Sequence, residues 1–212
     1  GESTDLAELV TDPGSEDLLH DWGFTTATAT NPSGAEPTDQ PSPGPTAPAT
    51  LSDTQTIGAS EPSVTTVPVT ATDDDGGTAD GEATILTTGD LTSASGASFW
   101  WRVMTGRADP LSPAELQGVL DVVSWASIEF EGLTPDGAAA ILRNGDTARD
   151  LLRMATLKAW LDVAGGVRLW AEPAANGFPT VGELITTAES VLADLSATND
   201  ELVSATNGAN LV

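Results

Sequence analysis

All seven basic residues of this 212-residue chain lie between Arg102 and Arg168, and residues 1–101 hold none. That asymmetry constrains the fold before any periodicity is considered. The first 101 residues carry seventeen acids and cannot neutralise themselves by internal ion pairing. They also hold only two aromatics before Phe99, namely Trp22 and Phe24, while five of the six Trp follow. The composition shift near residue 95 therefore reads as a domain boundary.

The whole-chain balance, 32 acids against 7 bases for a net charge of -25 and a pI of about 4.1, excludes whole classes of function. Nucleic-acid binding through phosphate neutralisation needs clustered Lys and Arg. Adhesion to an anionic membrane surface needs the same. No apolar run approaches the roughly 18 residues of a spanning helix, so no membrane span is expected. With no Cys, thiol nucleophiles, disulfides and zinc–thiolate sites are out. One His and no Tyr leave carboxylates as the main acid–base groups. The expectation is a protein that is not an enzyme.

The acidity has a physical setting. Lys158 is the only lysine, and an excess of Asp and Glu with plentiful Thr and Ala resembles proteins of extremely halophilic archaea. At molar salt the Debye length falls to about 3 Å, so repulsion between surface carboxylates is largely screened. The same charge opposes compaction in dilute buffer.

Residues 1–24 read as an N-terminal docking segment, partly helical. Asp12-Pro13 makes an N-cap/N1 pair, and Leu18, Leu19 and Trp22 follow at helical spacing. Such short helices are unstable alone and must dock on something. Residues 25–94 are a Thr/Ser/Pro/Gly/Asp-rich arm whose prolines favour extended chain. It reads either as a solvated, O-glycosylated stalk or as an arm that lends edge strands to a partner. Candidate strands surround Val64, Val67 and Val69, where Pro68 points to a sheet edge, and Ile85-Leu86. Gly1 is compatible with removal of a signal peptide or an initiator Met. The opening GESTDLAELV is not the long apolar helix of a type IV pilin or archaellin.

From residue 95 the signals are helical. Ser112-Pro113-Ala114-Glu115, Thr180 with Glu183, and Thr198 with Glu201 are capping boxes. Thr134-Pro135 opens a short helix ending at Asn144-Gly145. Asp146 or Thr147 caps the longest, with Leu151, Leu152, Ala155, Leu157, Leu161 and Val163 inward and Gly165-Gly166 as the stop. Asn207-Gly208 closes the last. With the segment around Phe99, Trp100 and Trp101, about six helices occupy residues 95–212, enough to bury one core. The three consecutive aromatics either plug the end of the bundle or anchor an interface, and on a helix at least one of them faces outward.

The Phe99-Trp100 opening, the run from Ala159 to Gly165 and the stretch from Thr180 to Ala188 together resemble a C-terminal module of predicted secreted or cell-surface haloarchaeal proteins. The likeness covers residues 95–212. Two departures stand out: Trp101-Arg102 replaces the usual Lys, Asn or His, and Asp162 stands where Asn is commoner. The resemblance implies an extracytoplasmic location and assigns no catalytic residue.

Chemical candidates are few. Asp73, Asp75, Asp80 and Glu82 belong to the densest carboxylate cluster, a candidate site for calcium or another cation. An EF-hand is excluded, because Gly77 and Thr84 fall on ligand positions. Glu129 and Glu131 flank Phe130 and share a face if that stretch is a strand. Arg149 and Arg153 are placed to pair with Asp146 and Asp150 along the long helix. His20, between Leu19 and Asp21, reads as a surface or docking residue. The expected architecture is mainly α, a compact bundle of about six helices behind a long extended arm with short β-strands. The expected role is structural: a halophilic, extracellular or cell-surface protein assembling as a homo-oligomer or multi-subunit filament. A virion component of a halophilic archaeal virus is the alternative. Leu18, Leu19, Trp22, Phe24, Val64, Val67, Val69, Phe99, Trp100 and Trp101 are the candidate interface residues, with no cofactor beyond such cations.

Overall fold

In the computed structural model the longest helix, α4 (Ala148–Ala164), touches all five other helices of its unit. These are α1 (Gly96–Met104), α2 (Pro113–Ala126), α3 (Pro135–Ile141), α5 (Val181–Ala193) and α6 (Asn199–Ala209). The structure describes residues 2–10, 18–22, 49–57, 61–73, 78–93, 96–174 and 180–212, with side chains for 61–68, 80–93, 96–174 and 180–212. The fold is mainly helical. Two compact units are distinguished: residues 1–60 with 65–86, and Glu61–Val64 with Thr87–Val212. The helical unit therefore takes in chain ahead of the composition shift at residue 95.

Helix ends follow the local chemistry. Ser112, Thr147, Thr180 and Thr198 each accept from the N3 backbone N–H, while the N3 carboxylate accepts from the cap's own N–H. These reciprocal bonds satisfy orphan donors of the first turn. Thr134 caps α3 from its side chain, with Pro135 at N1. At the longest helix Thr147, rather than Asp146, is the cap.

A central helix must be apolar nearly all round. From Ala155 to Ala164 all but Lys158 of α4 is buried, including Trp160 and Asp162. The larger core gathers Trp100, Val103, Val119, Leu120, Val123, Phe130, Leu157, Leu161, Val181 and Ile185. A second cluster, Leu152, Ala155, Ala188, Leu192, Leu202 and Ala209, fills the space between α4, α5 and α6. Leu151, expected inward, is 40% exposed. α6 runs through Asn207-Gly208 to Ala209 instead of stopping there. Gly208 keeps a helical backbone in place of the left-handed turn a stop requires.

The C-terminus of α4 is covered by an earlier part of the chain. Gly89 N–H donates to Ala164 O at 2.8 Å and Leu91 N–H to Gly165 O at 2.9 Å. Gly166, at φ 86, is required there: a Cβ would lie 1.8 Å from Gly89 O. Gly165-Gly166 thus ends the helix and also admits the backbone that satisfies its last carbonyls. In the same way Gly118 of α2 leaves room for Pro62, whose carbonyl oxygen would sit 1.9 Å from a Cβ.

The other unit is built of strands. β1 (Glu2–Val10) pairs antiparallel with β3 (Ala49–Ile57), from Glu2 opposite Ile57 to Val10 opposite Ala49. β2 (Leu18–Trp22) pairs antiparallel with β4 (Ser63–Asp73), which lies between β2 and β5 (Thr78–Thr87). This corrects the partly helical reading of residues 1–24. A short apolar patch gives a helix too little support unaided, whereas a strand obtains backbone partners from distant chain. Asp12-Pro13 lies outside the described residues. The strands expected at Val64–Val69 and Ile85-Leu86 are present as β4 and β5. Pro68, however, sits in the middle strand. Among the described residues the β2 pairing reaches Trp22 opposite Val69, the neighbour of Pro68.

Candidate interaction surface

Because basic residues are scarce here, their partners locate the chemistry. Lys158 lies 2.8 Å from Asp162 Oδ2, with side chains 14% and 3% exposed. The other oxygen, Oδ1, accepts Trp100 Nε1–H at 2.6 Å. Arg149 donates to the carbonyls of Leu192 and Asp194, the latter at 2.8 Å, and so caps the end of α5. Arg168 donates to Glu172 and, through Nε, to Val212 O at 3.0 Å. Arg153 Nε stands 2.7 Å from Glu129 Oε1 in a partly exposed ion pair. The expected pairing of Arg149 and Arg153 with Asp146 and Asp150 does not form. Asp150 is engaged at the Thr147 cap, and both arginines reach across to neighbouring elements.

Three bases remain: Arg102, Arg107 and Arg143. Among the described residues none of them forms an ion pair. Arg107 lies over the Trp101 ring at 4.6 Å from its centroid and Arg143 at 5.0 Å, one delivered by the turn after α1 and the other by the end of α3. All three arginines are exposed and Trp101 is half-buried. Arg102 joins them through its backbone, whose carbonyl accepts the N–H of Arg107 at 2.7 Å. A guanidinium over an indole uses its flat face, leaving its N–H edge for hydrogen bonding.

A second carboxylate–indole contact lies elsewhere in the helical unit. Glu189 Oε1 accepts Trp160 Nε1–H at 2.9 Å and also the hydroxyl of buried Ser127. Trp170, 45% exposed, stacks on Trp160 with centroids 5.1 Å apart. Gly182 makes that stack fit, since a Cβ there would fall 2.2 Å from the Trp170 ring. Trp125 and Ile128 are exposed at the end of α2.

Of the expected interface aromatics, Trp100 is fully buried and serves the core, held there by Asp162. It is unavailable to a partner. Phe99, edge-on to Trp100 at 5.4 Å, and Trp101 are half-buried. Val67 is fully buried, and Val64, which belongs to the helical unit, is partly buried against that unit's larger core. The side chains of Leu18, Leu19, His20, Trp22, Val69 and Asp73 lie outside the described residues, as do Phe24 and Asp75 altogether. Asp80 and Glu82 are exposed on β5, and among the described residues no three metal-binding side chains converge. The stretch around Glu129 and Glu131 is turn rather than strand, so the shared face expected of them is absent. Glu129 is taken by Arg153. Among the described residues no helix is long and apolar enough to cross a membrane.

The grouping of Arg107 with Arg143 was beyond local reading, since 36 positions separate them. The crowding of every base into Arg102–Arg168 was the only signal for it. Lys158 and Asp162, by contrast, are spaced i,i+4 and were open to detection. No protein-family model matches the chain, and neither does any curated protein or solved structure.

Proposed function

We propose that this chain is a non-enzymatic structural protein of a hypersaline organism, assembling at the cell surface or in an extracellular filament through its N-terminal region. The observation that carries the reading is the antiparallel ladder between β1 and β3. Among the described residues it is a two-stranded sheet with no third strand on either edge. Such a sheet is marginal in water, where roughly three strands or a covering layer are needed. Its outer edges offer N–H and C=O groups to a further strand, the usual basis of strand addition between chains. The charge adds a condition. A segment with seventeen acids and no base closes against a neighbour when salt or basic side chains offset its repulsion. The likeness of residues 95–212 to a haloarchaeal surface module supports the same setting.

Removing residues 1–60 tests the reading while sparing Glu61–Val64 and the lead into α1, which belong to the helical unit. In molar salt the full chain is expected to form particles or filaments visible by electron microscopy. The shortened chain is expected to keep its helical circular dichroism and stay monomeric. A shortened chain that assembles normally contradicts the proposal.

A further inference from the structure

We propose that Arg107 and Arg143 over Trp101, with Arg102 beside them, form the docking site for the acidic stretch 2–22 of a second copy of this chain. The inference rests on the assembly reading above and supplies its receiving surface. Four of the seven bases are engaged with carboxylates or helix-end carbonyls, and these three are not so engaged among the described residues. Arg107 and Arg143 are gathered over the half-buried Trp101 ring, and Arg102 follows that tryptophan in sequence, in a chain of net charge -25. Residues 2–22 hold seven acids, Glu2, Asp5, Glu8, Asp12, Glu16, Asp17 and Asp21, with no Lys or Arg. The complementarity is therefore carried by the chain itself.

The chemistry suits strong salt. Screening with a Debye length of about 3 Å removes long-range attraction, yet a charge-assisted N–H···O contact at about 2.8 Å lies inside that length. Arginine is the right base for it, because its planar fork meets a carboxylate in two parallel bonds. Stacking on Trp101 holds the fork in place beforehand, so less side-chain freedom is lost on docking.

The test uses three full-length chains in molar salt, wild type, R107E/R143E and a chain with the seven acids of 2–22 changed to Asn or Gln, with R107Q/R143Q as a fourth, control chain. Sedimentation velocity should show wild type associating and each variant alone weakened by about tenfold or more, the effect of losing two exposed contacts. Mixing the two variants should restore association, since one keeps the acidic stretch and the other keeps the arginines. R107Q/R143Q, with circular dichroism matching wild type, guards against misfolding of the charge reversal and should be weakened too. If both arginine variants associate like wild type, the docking site is wrong while assembly stands. If each variant fails alone and the mixture also fails, the contact is not between copies. If wild type never associates, the assembly reading falls and takes this one with it. If wild type associates only when heparin or another polyanion is added, the arginines serve a foreign polyanion and the proposal is overturned.

Discussion

Asp162 Oδ1 accepts the Trp100 indole N–H at 2.6 Å while its Oδ2 faces Lys158 Nζ at 2.8 Å, so both oxygens of one buried carboxylate are satisfied. The arrangement ties α1 to α4 across 62 residues of sequence. It also explains why the chain's only lysine is placed here: a charge 3% exposed needs a partner within contact distance.

Removing that carboxylate leaves Lys158 and the Trp100 N–H unpaired. D162A is expected to cost about 3–5 kcal/mol, the range for breaking a buried pair from one side. D162N keeps an acceptor for the indole and loses only the charge, so it should cost about 1–3 kcal/mol. Denaturant unfolding in molar salt should rank wild type above D162N and D162N above D162A. Equal losses would show that the indole contact contributes nothing.

Acid should loosen helix ends before the core. The Ser112 backbone N–H, then its hydroxyl, hold Glu115 below its ordinary 4.5, and the Thr198 hydroxyl, then its backbone N–H, do the same for Glu201. Asp194 is lowered by the Ser196 hydroxyl and N–H, with Arg149 adding to the effect. Each group binds its proton more weakly folded than unfolded, so its stabilisation is complete above the unfolded value and is lost as pH falls through the folded one. Stability should be flat from neutral pH to just above the ordinary carboxylate range and then fall. Melting curves of E115Q/E201Q should show a shallower acid limb than wild type; an unchanged limb contradicts the assignment.

Gly166 combines φ 86 with a Cβ position 1.8 Å from Gly89 O. G166A should therefore lose the bonds from Gly89 and Leu91 to the end of α4 and cost roughly 1–3 kcal/mol. Amide exchange at Leu91 should speed up well beyond that within α4. Unchanged protection at Leu91 would mean the close approach is not needed.

Lower salt should act on the two units unequally. Residues 1–101 carry seventeen acids and no base, whereas residues 102–212 carry fifteen acids against seven bases. Amide protection in β1 and β3 is expected to disappear at a higher salt concentration than protection in α4. Simultaneous loss would make the asymmetry a matter of composition alone.

What could be read from the sequence was what is decided within a few residues. Caps at Ser112, Thr134, Thr180 and Thr198 are such features, because each side chain closes on a backbone N–H three positions on. The six helices and the strands around Val67 and Ile85 follow from short-range pattern in the same way. Pairing was not legible. β1 is a strand because Ala49–Ile57 lies against it, and nothing within GESTDLAELV announces that partner. Spacing alone suits Arg153 to Asp150 one turn away, but the Thr147 cap takes that carboxylate and a turn brings Glu129 close. The Trp101 cluster is a third case, assembled by the meeting of α1 with the end of α3.

The most direct measurement is sedimentation velocity of the intact chain in molar salt across a wide concentration range. Assembly through the N-terminal region predicts species much larger than the 21.6 kDa chain, growing with concentration and shrinking as salt is withdrawn. A single 21.6 kDa species at every concentration and salt would contradict it.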